Sequence, residues 1–307
     1  MSVIKNPHAS AAGTWRLGDL TVNRIGFGAM RLTGSAAFDL GEPRDPGQAV
    51  AVLRRAVELG VNHIDTAAFY FSRHASANDL IRRALAPYPD DLVIATKIWP
   101  GRTPSGDWEW ATPEQLRGQV EENLRGLGRD HLDLVNLRIP PSRRDGPIGE
   151  HVAALAALRD AGLVRHVGLS NATPAHLAEA RAIAPVVCVQ NPFGIGAPAA
   201  ERDFLRACGE QGIAYVPFFA IAGAAREHGA VGEQAAGKET VGEQDASVRA
   251  IARAHGVTPA QVRLAWTLAQ GPHVLAIPGT GDLGHLTENV AAGAIRLTPG
   301  DLALPDS

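Results

Sequence analysis

Short apolar runs alternate with helical patterns along most of the chain, and this alternation limits the possible folds more than any other feature. The runs fall at Ile25–Gly28, Asn62–Asp65, Leu92–Thr96, Leu132–Leu137, Val164–Gly168, Val186–Gln190, Ala214–Pro217 and Val274–Ile277. Helical patterns lie between them, as at Ala49–Leu59, Pro113–Gly126, Glu150–Ala161, Ala199–Glu210 and Pro259–Ala269. Most runs are rich in Val, Ile and Leu without polar alternation, the pattern of strands buried on both faces of a parallel sheet. Eight strand–helix repeats predict a closed (β/α)8 TIM barrel rather than an open sheet. Nothing marks a second unit, so 1–307 reads as a single barrel domain.

Local signals agree with this frame. Thr112-Pro113, Thr173-Pro174 and Thr258-Pro259 each place a Thr N-cap before a Pro at the first helical position. In the first and third, Gln115 and Gln261 complete a capping box. Two segments lie outside the repeat. Thr14 to Val22 reads as a hairpin turning at Gly18-Asp19, and Ala220 to Gln244 is a long Gly-, Ala- and Glu-rich segment after the seventh run. On composition alone that long segment is a flexible surface insertion.

A net charge of −3 gives no electrostatic reason to expect nucleic acid or an anionic membrane as partner. No apolar run approaches a membrane span, and the first residues lack the apolar stretch of a secretory signal, so a cytoplasmic protein is expected. Cys188 lies within an apolar run and reads as a buried thiol rather than a disulfide or metal ligand; no metal is expected.

The chemistry-bearing residues stand where a barrel displays them. Asp65 ends the second run, Tyr70 follows in the next loop and Lys97 ends the third, and barrel sites form at the C-terminal ends of strands. A phenol beside an ammonium that a carboxylate holds can give its proton to a carbonyl oxygen, because the cation makes the phenolate less costly. Taken alone, Asp65 and Lys97 would equally suit a structural ion pair. Gly26-Phe27-Gly28-Ala29-Met30 is too short, and opens no helix, for a doubly wound dinucleotide fingerprint.

Asp65-Thr66-Ala67-Ala68-Phe69-Tyr70, the strand-end Lys97, Val164-Arg165-His166-Val167-Gly168-Leu169-Ser170-Asn171, Gln190-Asn191 and Ile277-Pro278-Gly279-Thr280 with Glu288-Asn289 together resemble the aldo-keto reductases. The resemblance runs in one order from Gly26 to Asn289. It implies reduction of a small-molecule aldehyde or ketone by NADPH, with NADH left open and Tyr70 giving the proton beside Lys97 and Asp65. It implies a hairpin plug at the barrel's N-terminal end. Gly28, Ala29, Met30 and Asp65 would line the cofactor site, and Ser170, Asn171 and Gln190 would hold the carboxamide. Phe218 would stack on the nicotinamide, and the loop with Phe219, Ala220, Ile221 and Gly223 would fold over the pyrophosphate. Pro278, Gly279, Thr280, Gly281, His285, Glu288 and Asn289 would meet the adenosine end.

The chain departs from the family pattern at several points. Arg138 stands where most members carry histidine; it can polarise an oxygen or hold a substrate anion but cannot exchange a proton. Equally, it could turn towards Asp65 or a loop carboxylate. Gly279 and His285 occupy places often taken by Lys or Arg, and Asp282 would repel phosphate if turned inwards. The string Asn136-Leu137-Arg138 resembles a pyridoxal reductase-like branch, which makes pyridoxal a candidate substrate. Phe71, Trp99 and Arg138 are expected at the substrate wall, with Trp108 and Trp110 covering it or packing at the surface. A rival reading is an NADP(H)-binding regulatory subunit with little turnover. Monomer and homo-oligomer both remain open.

Overall fold

A computed structural model describes residues 6–34, 43–218, 220–221 and 238–303, the stretch 238–245 by its backbone alone. A hairpin of β1 (Thr14–Leu17) and β2 (Leu20–Asn23) comes first. The main sheet contains β3 (Phe27–Gly28), β4 (His63–Asp65), β5 (Val93–Ile98), β8 (Leu132–Arg138), β9 (Val164–Ser170), β10 (Val186–Gln190) and β11 (Ala214–Tyr215). Its order is β11-β10-β9-β8-β5-β4-β3, and every pairing is parallel. A second hairpin, β6 (Pro100–Arg102) with β7 (Trp108–Trp110), interrupts the repeat after β5.

Residues 274–277 close the sheet. On one side Tyr215 N donates to His273 O and Leu275 N to Tyr215 O, both at 2.9 Å. On the other, Ala276 N donates to Arg24 O and Gly26 N to Ala276 O, both at 2.8 Å. The predicted eighth strand therefore joins β11 to the β3 edge, and the sheet is a barrel. Two glycines allow the closest approach at this seam. A Cβ on Gly279 would stand 2.4 Å from Gly28 O, and one on Gly28 would stand 2.6 Å from Ile277 O. Arg24 reinforces the seam by donating to the carbonyls of Leu268, Gly271 and Val274.

The helices are α1 (Pro46–Glu58), α2 (Ala77–Leu85), α3 (Leu116–Leu127), α4 (Gly149–Asp160), α5 (Pro174–Ile183), α6 (Ala199–Glu210), α7 (Lys238–His255), α8 (Pro259–Ala269), α9 (Leu283–Ala291) and the short α10 (Pro299–Leu302). Thr112 N donates to Gln115 Oε1 at 2.8 Å and Thr258 N to Gln261 Oε1 at 2.9 Å, as the sequence predicts. The Thr173 cap forms a box too, because His176 Nδ1 accepts from Thr173 N at 3.2 Å where Gln would otherwise do so. The end of the long insertion is helical, since α7 begins at Lys238. Phe219, Gly223 and most of the expected lid lie outside the described residues.

The β1–β2 hairpin fills the barrel's lower end. Its Leu17 and Val22 are buried and cluster with Val93, Ala95, Leu134, Cys188, Ala214 and Leu275. The turn is tied down by Asp19, which accepts from Arg165 and His166; these two bonds hold its carboxyl well below the usual range. Cys188 and Cys208 are both buried, which pushes their thiols up, Cys208 to about 12.

Two residues before Asp65, His63 is buried, and neither ring nitrogen has a hydrogen-bond partner among the described residues. Burial lowers its pKa from 6.5 to about 4. The folded state thus binds this proton more weakly than the unfolded chain. Stability of about 3 kcal/mol is expected above pH 6.5 and lost as pH falls through about 4. Urea midpoints measured across that window should fall steeply in the wild type and much less in His63→Leu; equal slopes would refute this role.

Candidate active site

The C-terminal ends of β4 and β5 bring the expected trio together. Lys97 Nζ donates to Asp65 Oδ2 at 2.6 Å and to Thr66 O at 3.0 Å. It lies 4.8 Å from the centroid of the Tyr70 ring and hydrogen-bonds the phenol. Lys97 and Asp65 are 2% and 5% exposed, so water contributes little to either charge. Burial works against the ammonium, but Asp65 and Tyr70 outweigh it and leave the Lys97 pKa above its ordinary value. The other Asp65 oxygen accepts from Gln190 Nε2 at 2.7 Å. A phenol, a cation, a carboxylate and an amide thus form one connected chain, the arrangement needed to deliver a proton from the phenol.

The Tyr70 loop is itself fixed. Tyr70 N donates to Ala67 O at 3.0 Å, and Ala77 N, opening α2, donates to Tyr70 O at 2.9 Å. Below it runs a buried polar network that the sequence did not reveal. Thr66 Oγ1 donates to Asn78 Oδ1, while Asn78 Nδ2 and Thr96 Oγ1 both donate to Asn123 Oδ1. Thr66 directly follows β4, and Asn78, Thr96 and Asn123 lie on α2, β5 and α3. The available signal was polar: Asn78 and Asn123 interrupt helix faces that are otherwise apolar.

Arg138 ends β8 in register with Ser170 on β9. Its Nη1 donates to Ser170 Oγ at 3.2 Å, and its guanidinium carbon lies 5.2 Å from the Phe218 ring centroid.

The residues expected around the nicotinamide adjoin this cluster. Gln190 is 1% exposed, and its Oε1 has no hydrogen-bond partner among the described residues. A buried amide oxygen left unpaired costs about 1–3 kcal/mol, so an N–H donor of a carboxamide fits there. Asn171 has φ 57, the left-handed region that costs a non-glycine residue energy. Its neighbour Asn191 clasps Ala172, accepting from its N at 2.9 Å and donating to its O at 2.8 Å. Gly28 ends β3, and Ala29 and Met30 lie in a single 3-10 turn, Ala29–Arg31, where the sequence predicts no helix; it is too short for a dinucleotide-binding helix. Phe218 pairs by a parallel bridge with Pro192, and Ala220 and Ile221 form a turn.

At the expected adenosine end, Pro278 to Gly281 leads into α9, whose N-cap is Asp282. Its Oδ1 accepts from His285 N at 2.8 Å, so the carboxylate is spent on the helix end. His285 is exposed, Glu288 O accepts from Gln261 Nε2, and Asn289 is buried. Arg44, unnoticed in the sequence, lays its guanidinium against Gly281, where a Cβ would stand 2.3 Å from Nε. The signal available was its place just before the Asp45 N-cap of α1.

The substrate-wall residues divide. Phe71 is half-buried beside Arg102, whose guanidinium carbon lies 4.5 Å from its ring centroid. Trp108 and Trp110 are 47% and 48% exposed on β7, their rings stacked 6.4 Å apart. Trp99 is 3% exposed and stacks on His151 with centroids 3.8 Å apart. Its φ of 93 is strained, and its backbone is held where Trp99 N donates to Gln119 Oε1 and Trp99 O accepts from Ala111 N.

A model of the Aldo/keto reductase family matches residues 24–307. The chain belongs to that family. It is an oxidoreductase acting on carbonyl and alcohol groups, and the family uses NADP(H). Pyridoxine 4-dehydrogenase of Escherichia coli (strain K12) is 43% identical over 301 residues, spanning 96% of this chain and 98% of that protein. An uncharacterised oxidoreductase of Schizosaccharomyces pombe is 39% identical, over 94% of this chain and 88% of that one. An aldo-keto reductase from Klebsiella pneumoniae, solved in complex with NADPH, is 27% identical with a TM-score of 0.75, over 94% and 92% of the two chains. The glycerol dehydrogenase of Gluconobacter oxydans shares the fold, with a TM-score of 0.80 over 95% and 93% of the two chains at 23% identity. Among the described residues, no helix is long and apolar enough to cross a membrane, and no cluster of three His, Cys, Asp or Glu could hold a metal.

Proposed function

We propose that this reductase converts a ring-bearing aldehyde such as pyridoxal to its alcohol, with Tyr70 giving the proton to the carbonyl oxygen. When bound, the nicotinamide supplies the hydride. Ser170, Asn171 and Gln190 would hold its carboxamide, Phe218 would pack against its ring, and Thr280 to Asn289 would meet the adenosine end. Asp65 keeps Lys97 charged, and Lys97 stabilises the phenolate left behind. The observation that carries this reading is the unbroken chain from Gln190 through Asp65 and Lys97 to Tyr70. The likeness to a pyridoxine 4-dehydrogenase supports the choice of ring, as does a cation at position 138.

The test follows NADPH loss with a panel of aldehydes that includes pyridoxal. Turnover with pyridoxal well above that with short aliphatic aldehydes supports the reading. Tight NADPH binding with no turnover on any of them would instead favour the regulatory role.

Pyridoxal carries an ionisable phenol beside its aldehyde, and Arg138 is a permanent cation beside Ser170. A charge-assisted hydrogen bond contributes about 1.5–3 kcal/mol. Arg138→His should therefore raise KM for pyridoxal by roughly tenfold and leave KM for neutral benzaldehyde nearly unchanged. Equal increases for both would count against the anchoring role.

A further inference from the structure

Tyr70 is gripped from two directions by one stretch of chain. Lys97, near the end of β5, hydrogen-bonds its phenol. Arg102, at the end of β6, grips the backbone around it: Nη1 donates to Phe71 O at 2.9 Å and lies 3.4 Å from Phe69 O. These carbonyls belong to the residues on either side of Tyr70. The guanidinium also lies beside two rings, its carbon 4.5 Å from the Phe71 ring centroid and 5.9 Å from that of Trp108. Within its own hairpin Nε donates to Gly106 O at 3.3 Å, and Arg102 pairs with Trp108 in register.

We propose that Arg102 is a positioning residue that sets the Tyr70 loop so that the phenol stays in reach of Lys97. The planar fork lets Nη1 face the Phe69 and Phe71 carbonyls while Nε donates to Gly106 O, with two aromatic rings beside it. Lysine has the charge without the fork. The two ends of Tyr70 are thereby referred to the same rigid segment, and an error of about 1 Å in that register can cost about 10²-fold in rate. The hairpin carrying Trp108 and Trp110 thus acts as a brace for the Tyr70 loop as well as part of the barrel rim.

This rests on reading Tyr70 as the proton donor, so the experiment separates the two. Arg102→Ala, Arg102→Lys, Tyr70→Phe and Arg102→Ala combined with Tyr70→Phe are compared as NADPH-loaded enzymes on pyridoxal and benzaldehyde. NADPH affinity is measured alongside by fluorescence. Expected is a fall in kcat of about tenfold or more for Arg102→Ala on both aldehydes, with NADPH Kd within about twofold. Arg102→Lys should lose less, and it carries the test if the Ala variant does not fold. In the Tyr70→Phe background, removing Arg102 should change the residual rate by no more than about twofold, since both act through one group. An unchanged kcat beside a crippled Tyr70→Phe overturns the role of Arg102 alone. So does an equal loss in the Tyr70→Phe background, or a defect confined to KM for pyridoxal and fully restored by lysine. Full activity in Tyr70→Phe overturns the proton-donor reading itself.

Discussion

Tyr70→Phe is expected to lower kcat by about 10²–10⁴-fold while leaving NADPH affinity nearly unchanged, the range for removing a positioned general acid. The substitution deletes one oxygen and keeps the ring, so the edge-on packing against Phe69, with centroids 5.1 Å apart, survives. Tyr70 is 8% exposed, so the cavity created is no larger than the lost hydroxyl. The ring packing is therefore kept, loss of the bond to the buried Lys97 ammonium should cost about 1.5–3 kcal/mol of stability, and the loss of rate should appear in the chemical step. A variant that reduces aldehydes at the wild-type rate would remove Tyr70 from the mechanism.

Lys97→Met should have an equally large effect on rate and a larger one on stability. The ammonium is 2% exposed and lies 2.6 Å from Asp65 Oδ2. Removing one partner of a buried pair strands the other charge and costs about 3–5 kcal/mol. Asp65→Asn combined with Lys97→Met should regain much of that stability, because neither charge is then unpaired, yet remain inactive. Thermal melts and turnover of the singles and the double variant test this. Recovery of turnover in the double variant would show that the pair serves packing rather than chemistry. The sign with pH follows from the raised Lys97 pKa. The pair's stabilisation is fully present below the ordinary lysine value of about 10.4 and is lost only as pH rises through the higher folded value. Up to about pH 9 the lysine side of the pair should thus hold constant, and His63 should contribute its loss of stability as pH falls from about 6.5 to about 4.

Much of the barrel was legible because burial on both faces leaves a continuous apolar signature. β8 and β10 lie within a residue of the predicted runs, and the plug hairpin turns at Gly18-Asp19 as read. Boundaries drifted where backbone pairing, which side chains do not encode, decides the end. The run at Ala214–Pro217 yields only a two-residue β11, and Val274–Ile277 joins the sheet through isolated bridges. The β6–β7 hairpin leaves no mark in the sequence because its three-residue strands are too short for a period-two pattern. At the site, Asp65, Tyr70 and Lys97 were legible from their type and their place after strands. Arg138 was flagged without its partner, since only coordinates bring Ser170 and Phe218 beside it. Arg44, Arg102 and the Asn78–Asn123 network were not legible, because each acts across segments far apart in sequence.

The most direct test is a crystal structure of the enzyme with NADP⁺ and a slowly reacting carbonyl inhibitor. Tyr70 Oη should lie about 2.6–3.2 Å from both Lys97 Nζ and the inhibitor's carbonyl oxygen, with the nicotinamide ring against the opposite side of that carbonyl. A carbonyl oxygen bonded to Arg138 or water, with the Tyr70 hydroxyl out of reach, would contradict the assignment of the proton to Tyr70.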